Sequence, residues 1–112
     1  MIRVKYLRIK KNSDFQRLFK KGKKIFSPDI TLLYFPAAKT AMGVAVSKKH
    51  GKAVTRNRIK RLLRAVFSEN CGLLDKPYAC ILVPKIKEEY TYKSFERSLK
   101  ILFKKISESG KI

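Results

Sequence analysis

The order of hydrophobic and polar residues predicts helices and strands in alternation along the chain. A first short helix is predicted over residues 14–21, with Ser13 as its N-terminal cap and Gly22 as the residue at which it stops. The apolar residues that recur there at helical spacing are Phe15, Leu18 and Phe19. This helix therefore has one apolar side that can pack against the rest of the fold.

Three later runs are rich in residues that favour strands. ITLLYF, over 30–35, and MGVAVS, over 42–47, are separated by the turn-like PAAKTA, and this arrangement predicts a β-hairpin. YACILV, over 78–83, is apolar without interruption, which is typical of a strand that is covered on both faces. The third run is therefore not expected on a surface.

The segment between the second and third strands has the pattern of an amphipathic helix. VTRNRIKRLLRAVF, at 54–67, predicts a helix over 56–69 with Thr55 as its cap. At about 100° per residue, one side of this helix carries Ile59, Leu62, Leu63, Val66 and Phe67. The other side carries Asn57, Lys60, Arg61 and Arg64. A strand, a helix and a strand in this order predict a βαβ unit.

A last helix is predicted with Ser94 as its N-terminal cap. Its buried stripe is formed by Phe95, Leu99, Leu102, Phe103 and Ile106. The predicted order is α-β-β-α-β-α, which indicates an α+β fold of two layers, with the helices packed on a small sheet. No repeat, linker or change of composition divides the chain, so residues 1–112 are expected to form a single domain.

The net charge restricts the function more than any other property of the composition. Lys and Arg number 28 and Asp and Glu number 8, which leaves a formal net charge of +20 on 112 residues. Such a charge attracts polyanions, so nucleic acid is the leading class of partner and an anionic membrane surface is the competing one. The N-terminal residues lack the apolar block of a signal peptide, and Cys71 and Cys80 are too few for a disulfide scaffold. A cytoplasmic protein in a reducing compartment is expected.

The charged side of the long helix contains no acidic residue between Arg56 and Ser68. Cations that lie three or four residues apart destabilise an isolated helix, so a solvated face would be expected to mix both signs. The loop before the helix adds lysines and flexible backbone next to the positive end of the helix dipole. The pattern therefore predicts contact with the phosphates of a nucleic acid.

Two segments and the strand that follows them resemble the protein component of bacterial ribonuclease P, the small basic subunit of the enzyme that matures transfer RNA. The segments are KNSDFQRLFKKG and VAVSKKHGKAVTRNRIKRLLRAVF, and the resemblance runs over nearly the whole chain. The ordered pattern SKK..GKAV.RNR.KR..R is long enough to be specific. The resemblance implies a left-handed βαβ crossover, as in the fold that this family shares with a domain of a small-subunit ribosomal protein, although general rules favour a right-handed one.

The resemblance also implies a division of roles within a ribonucleoprotein. The RNA subunit would hydrolyse the phosphodiester bond with Mg²⁺ bound mainly by RNA, and the protein would assist with no catalytic residue or metal site of its own. The residues that would face this RNA are Arg56, Asn57, Arg58, Lys60, Arg61 and Arg64 of the RNR motif, and Ser47, Lys48, Lys49 and Lys52 of the loop. A cleft between the first helix and the sheet would take the 5′ leader of precursor tRNA, and the residues lining it would be Phe15, Phe19 and Tyr34. One protein per RNA is expected.

Several alternatives remain open from the residues alone. Phe15 and Phe19 fit a hydrophobic core as well as a stacking site, and His50 is expected in solvent rather than as a catalytic base. A protein nuclease needs paired metal-binding carboxylates, whereas the eight acidic residues are scattered. A ribosomal protein fits the charge and size equally well. A membrane-active helix is disfavoured because its apolar side is needed to cover the sheet.

Overall fold

A computed structural model describes residues 6–9, 12–74 and 76–109. The elements in chain order are β1 (Leu7–Arg8), α1 (Asn12–Lys21), β2 (Lys23–Phe26), β3 (Ile30–Pro36), β4 (Ala41–Val44), α2 (Ala53–Asn70), β5 (Tyr78–Pro84) and α3 (Tyr92–Ser109). Single turns of 3₁₀ helix lie at Lys48–His50 and Cys71–Leu73. Within the described ranges, no helix is both long and apolar enough to cross a membrane.

The five strands form one sheet in the order β1-β4-β5-β3-β2. Strand β5 lies between β4, to which it is parallel, and β3, to which it is antiparallel. The predicted hairpin of β3 and β4 is therefore wrong, because β5 separates the two strands and β3 pairs with the unpredicted strand β2 instead. The physical reason is burial. The run over 78–83 is apolar on both faces, and a strand in the middle of the sheet has both faces covered. The predicted βαβ unit is confirmed as β4-α2-β5.

Helices α2 and α3 pack on one face of the sheet and enclose the larger core. The predicted apolar stripe of α3 is buried throughout, and the predicted apolar side of α2 is buried except at the partly exposed Leu62. The strand side chains that meet these helices belong to alternating positions, and include Leu32, Tyr34, Cys80 and Leu82. Rings of Phe67 and Phe103 contact edge to face across the two helices, with centroids 5.9 Å apart.

Helix α1 lies on the opposite face of the sheet. Leu18 forms a smaller core there with Leu33 and Ile81. Phe15 packs where β4 has Gly43, and a Cβ at that glycine would lie 2.8 Å from the ring. The α+β class is confirmed, with the two predicted layers holding the larger core and α1 adding a short layer on the other side.

The helices begin before the residues that were predicted to cap them. Ser13 and Thr55 lie inside α1 and α2, so neither is a cap. In α3 the hydroxyl of Thr91 accepts a 3.2 Å hydrogen bond from the backbone N–H of Ser94, so Thr91 is the capping residue. Helix α2 starts close to Gly51, whose φ of 122° is accessible to glycine and turns the chain into the helix. The predicted stop at Gly22 is confirmed because α1 ends at Lys21.

Candidate nucleic-acid interface

A groove of about 490 Å³ runs along the charged side of α2. It is lined by Arg8, Asn57, Lys60, Arg61 and Arg64. Helical spacing predicts that the four residues from α2 share one side of the helix. The structure confirms this, because all four line the same groove. Among the described residues, no acidic side chain lines the groove, and the groove therefore presents four cations to one ligand.

Arg8 is the groove residue that sequence reasoning missed. It lies in β1, a two-residue edge strand that pairs in parallel with β4 and places Arg8 opposite Met42. The available signal was the alternation of cations with apolar residues in RVKYLRIK, which is a strand pattern at an edge. Only the pairing of β1 with β4 brings this arginine next to α2.

Arg56 and Arg58 do not line the groove. At about 100° per residue they lie to either side of the four α2 residues that do, so the RNR motif spreads over a broad face of the helix. Arg58 is exposed, whereas Arg56 is partly buried and its Nε–H is enclosed without a hydrogen-bond partner in the described part of the chain.

The loop before α2 is held in a defined shape by a capping box. Ser47 accepts a 3.3 Å hydrogen bond from the backbone N–H of Lys49 and donates its own backbone N–H to His50 Nδ1 at 3.0 Å. The side chains of Lys48, Lys49 and Lys52 are exposed beside the start of α2. The structure thus places all four predicted loop residues next to the helix.

His50 is buried, so its predicted position in solvent is wrong. Only 9% of its surface is exposed, and Nε2 lies 2.7 Å from the carbonyl oxygen of Pro84. Because that carbonyl can only accept, Nε2 carries the proton and Nδ1 is the acceptor for Ser47. The imidazole uses both nitrogens to attach the basic loop to the end of β5, and it has none left for acid–base chemistry.

The three aromatic residues predicted to line one cleft lie in three different settings. Phe15 is partly buried against the sheet, while Phe19 is 50% exposed on α1. Tyr34 is only 5% exposed and lies on the far face, where its ring meets Tyr78 edge to face. The prediction for Tyr34 is wrong because side chains alternate along β3, and its neighbour Leu33 is the residue that faces α1.

The sheet face that carries α1 also has an exposed aromatic residue that sequence reasoning did not identify. Phe26 pairs with Thr31 across β2 and β3, and Thr31 lies on the same face of β3 as Leu33. Phe26 is therefore on the face that carries α1. Its ring is 53% exposed, and Lys85 Nζ lies 5.7 Å from its centroid. A cation over an exposed ring is a combination that single-stranded RNA can use for stacking and phosphate contact.

The acidic, histidine and cysteine side chains of the fold are dispersed or buried. Over 6–9, 12–74 and 76–109, no three His, Cys, Asp or Glu side chains are close enough together to hold a metal ion. Burial, with a smaller effect from Cys71, raises the pKa of the Cys80 thiol to about 12, so Cys80 is not a nucleophile near neutral pH.

Comparisons with known proteins show the family of this chain. The family model described as Ribonuclease P matches residues 4–107. The ribonuclease P protein component of Finegoldia magna is 35% identical over 105 residues, covering 92% of this chain and 93% of the relative. The corresponding protein of Bacillus pumilus is 39% identical over 103 residues, covering 88% and 86% of the two chains.

Solved structures show the same fold. The RNase P protein from Thermotoga maritima superposes with a TM-score of 0.78 at 28% identity, covering 88% of this chain and 96% of that one. The Staphylococcus aureus RNase P protein gives a TM-score of 0.77 at 32% identity, covering 89% and 94%. The chain therefore belongs to the ribonuclease P protein family, the protein subunits of the holoenzyme that processes the 5′ ends of tRNA.

Proposed function

We propose that the groove along α2 binds the backbone of the ribonuclease P RNA. The observation that carries this proposal is the convergence of Arg8, Lys60, Arg61 and Arg64 on one groove whose described lining contains no acidic residue. Arg56 and Arg58 extend the contact to either side, and the loop residues Ser47, Lys48, Lys49 and Lys52 extend it beyond the start of the helix. Phosphate contacts of this kind give affinity without demanding a base sequence.

The α1 face of the sheet is proposed to take the 5′ leader of precursor tRNA. Phe19 and Phe26 expose their rings there, and Leu33 occupies the position that was assigned to Tyr34. A base stacked on an exposed ring contributes about 1–3 kcal/mol whatever its identity. This property suits an enzyme that must accept leaders of many sequences.

The protein's contribution to cleavage is electrostatic and geometric. Its cations reduce the repulsion between two RNA polyanions, and its two surfaces hold the leader beside the catalytic RNA. The Mg²⁺ ions are proposed to be bound mainly by RNA, because the described side chains offer no set of three ligands. We further propose one protein per RNA and a cytoplasmic location.

Cleavage of a 5′-extended precursor tRNA at low Mg²⁺ tests the proposal. The protein alone, a bacterial ribonuclease P RNA alone and their mixture are compared. Cleavage at the mature 5′ end should be efficient only in the mixture, and Arg61→Gln combined with Arg64→Gln should reduce it. Lys100→Gln combined with Lys104→Gln, on the exposed side of α3, removes the same charge and is the control.

Two outcomes would contradict the proposal. If the protein adds nothing to the RNA, the ribosomal or general RNA-binding alternative applies. If the α2 and α3 variants reduce cleavage equally, net charge alone is responsible and the groove is not the interface. Cleavage by the protein without RNA would instead support a protein nuclease.

A further inference from the structure

A second concave site lies on the other side of α1 from Phe19. It is a cavity of about 320 Å³ between α1 and the sheet, lined by apolar Ile9, Leu18, Phe35 and Ala79 and by Arg17 and Lys21. At about 100° per residue, Arg17 and Lys21 lie about 160° around α1 from Phe19, and Leu18 lies between the two sides. The cavity and the proposed leader surface are therefore separated by the helix.

The lining of this cavity combines an apolar body with positive charge. Phe35 is 45% exposed although it lies in an interior strand of the sheet, so a ligand can reach its side chain. Arg17 and Lys21 are exposed one helical turn apart, and none of the described residues that line the cavity is acidic. A flat apolar ring with an attached anion fits this lining, because the ring can stack on Phe35 while the anion meets the two cations.

The position of the cavity connects it to the groove along α2. Arg8 lines the groove and its neighbour Ile9 lines the cavity. Both residues belong to the segment at the edge of the sheet, where strand β1 is only two residues long, Leu7 and Arg8. The path from one site to the other therefore runs around this short edge strand. A single strand of RNA that leaves the groove at Arg8 therefore meets the cavity next.

We propose that this cavity binds an unstacked nucleotide of single-stranded RNA, with its base against Phe35 and its phosphate at Arg17 and Lys21. The direction of approach rests on the proposed RNA interface along α2. The nucleotide can come from the catalytic RNA or from the precursor tRNA, since both supply a base and a phosphate. The site adds a third contact surface to the groove and the leader face.

Variants of Phe35 test the stacking contact. Phe35→Leu keeps an apolar side chain of similar size but removes the ring face, whereas Phe35→Tyr keeps the ring. Affinity for the ribonuclease P RNA and affinity of the holoenzyme for precursor tRNA are measured for both variants, with thermal unfolding as the check on folding. Phe35→Leu should weaken one of these affinities about tenfold, as expected for loss of a stacked base, and Phe35→Tyr should match the unmodified protein.

The phosphate contact is tested with paired charge variants. Arg17→Gln with Lys21→Gln should make the slope of log affinity against log salt shallower by about 0.7 to 0.9, the contribution of one phosphate. Lys20→Gln with Lys104→Gln removes the same charge at exposed positions outside the cavity and should leave the slope unchanged. Ala37, which also lines the cavity, is replaced by p-benzoylphenylalanine, and the crosslinked RNA then identifies which molecule supplies the nucleotide.

The results separate this inference from the function proposed for α2. If Phe35→Leu leaves both affinities unchanged, or position 37 crosslinks to neither RNA, the cavity is not a nucleotide site. In that case a loss of affinity in Arg61→Gln would still support the groove. Equal slopes in the two charge variants would assign the effect to net charge and would also overturn the cavity site.

Discussion

Replacement of Arg61 by Gln should reduce the salt dependence of RNA binding by a defined amount. Arg61 is exposed and lines the groove, so the substitution removes one cation without disturbing the core. A substitution of this kind on the surface changes the free energy of unfolding by only about 0.5 kcal/mol or less. The effect on binding can therefore be measured on a folded protein.

The expected magnitude follows from the number of cations in the groove. Arg8, Lys60, Arg61 and Arg64 supply four, and each phosphate contact adds about −0.7 to −0.9 to the slope of log affinity against log salt. The groove should thus contribute a slope of about −2.8 to −3.6, a loss of about 50- to 150-fold in affinity between roughly 50 and 200 mM salt. Arg61 alone accounts for about threefold of that loss.

Fluorescence anisotropy of labelled ribonuclease P RNA, titrated over a range of KCl at constant Mg²⁺, measures the slope. Lys100→Gln is the matched control, because Lys100 is an exposed cation on α3 and removes the same net charge. Arg61→Gln should make the slope shallower by about one contact, and Lys100→Gln should not. An unchanged slope in Arg61→Gln, or an equal change in both variants, would refute the assignment of the groove.

The remaining predictions concern buried groups. Burial raises the pKa of Cys80 from 9.0 to about 12, so the unfolding free energy of the protein relative to Cys80→Ala should fall as pH rises from 9 towards 12 in urea titrations. His50→Ala leaves the Pro84 carbonyl without its donor and should cost about 1–3 kcal/mol, with faster hydrogen exchange in the loop at 47–52. Asp29→Ala breaks the ion pair with Lys87 and should also cost about 1–3 kcal/mol in the same titrations.

Each of these predictions has an outcome that contradicts it. For the thiol, stability falls as pH rises because the unfolded state, with the lower pKa, releases the proton first. A stability difference from Cys80→Ala that does not vary with pH would show that the pKa of Cys80 is not raised. For the loop, unchanged amide exchange in His50→Ala would mean that the ring does not hold it. For the ion pair, Glu108→Ala removes an exposed acid, and an equal loss of stability in that variant would be inconsistent with a specific role for Asp29.

Periodicity within one element was predictable from the sequence. The stripe of α3 and the two sides of α2 were identified correctly, because residues that share a side of a helix are set by a spacing of 3.6 per turn. The cations of α2 were found for the same reason, and their uniform sign already indicated an anionic partner. The family resemblance rested in part on the same segment.

Pairing between distant segments was decided by the tertiary structure. The prediction of a β3–β4 hairpin was wrong because β5, which comes later in the chain, lies between the two strands. Arg8 reaches the groove only because β1 pairs with β4. Neither pairing can be predicted from the local sequence. A strand pattern indicates which residues alternate between the two faces, but not which other strand lies beside them.

Tyr34 and His50 show the same limit at single residues. The strand pattern over 30–35 correctly places Leu33 and Tyr34 on opposite faces, but only the position of α1 decides that Leu33 lies beneath that helix. His50 belongs to a basic loop, and only the carbonyl of Pro84 explains its burial. The sequence by itself determined the sides of each element and the sign of the charge they carry, and the tertiary structure decided what covers each side, because that depends on contacts between residues far apart in the chain.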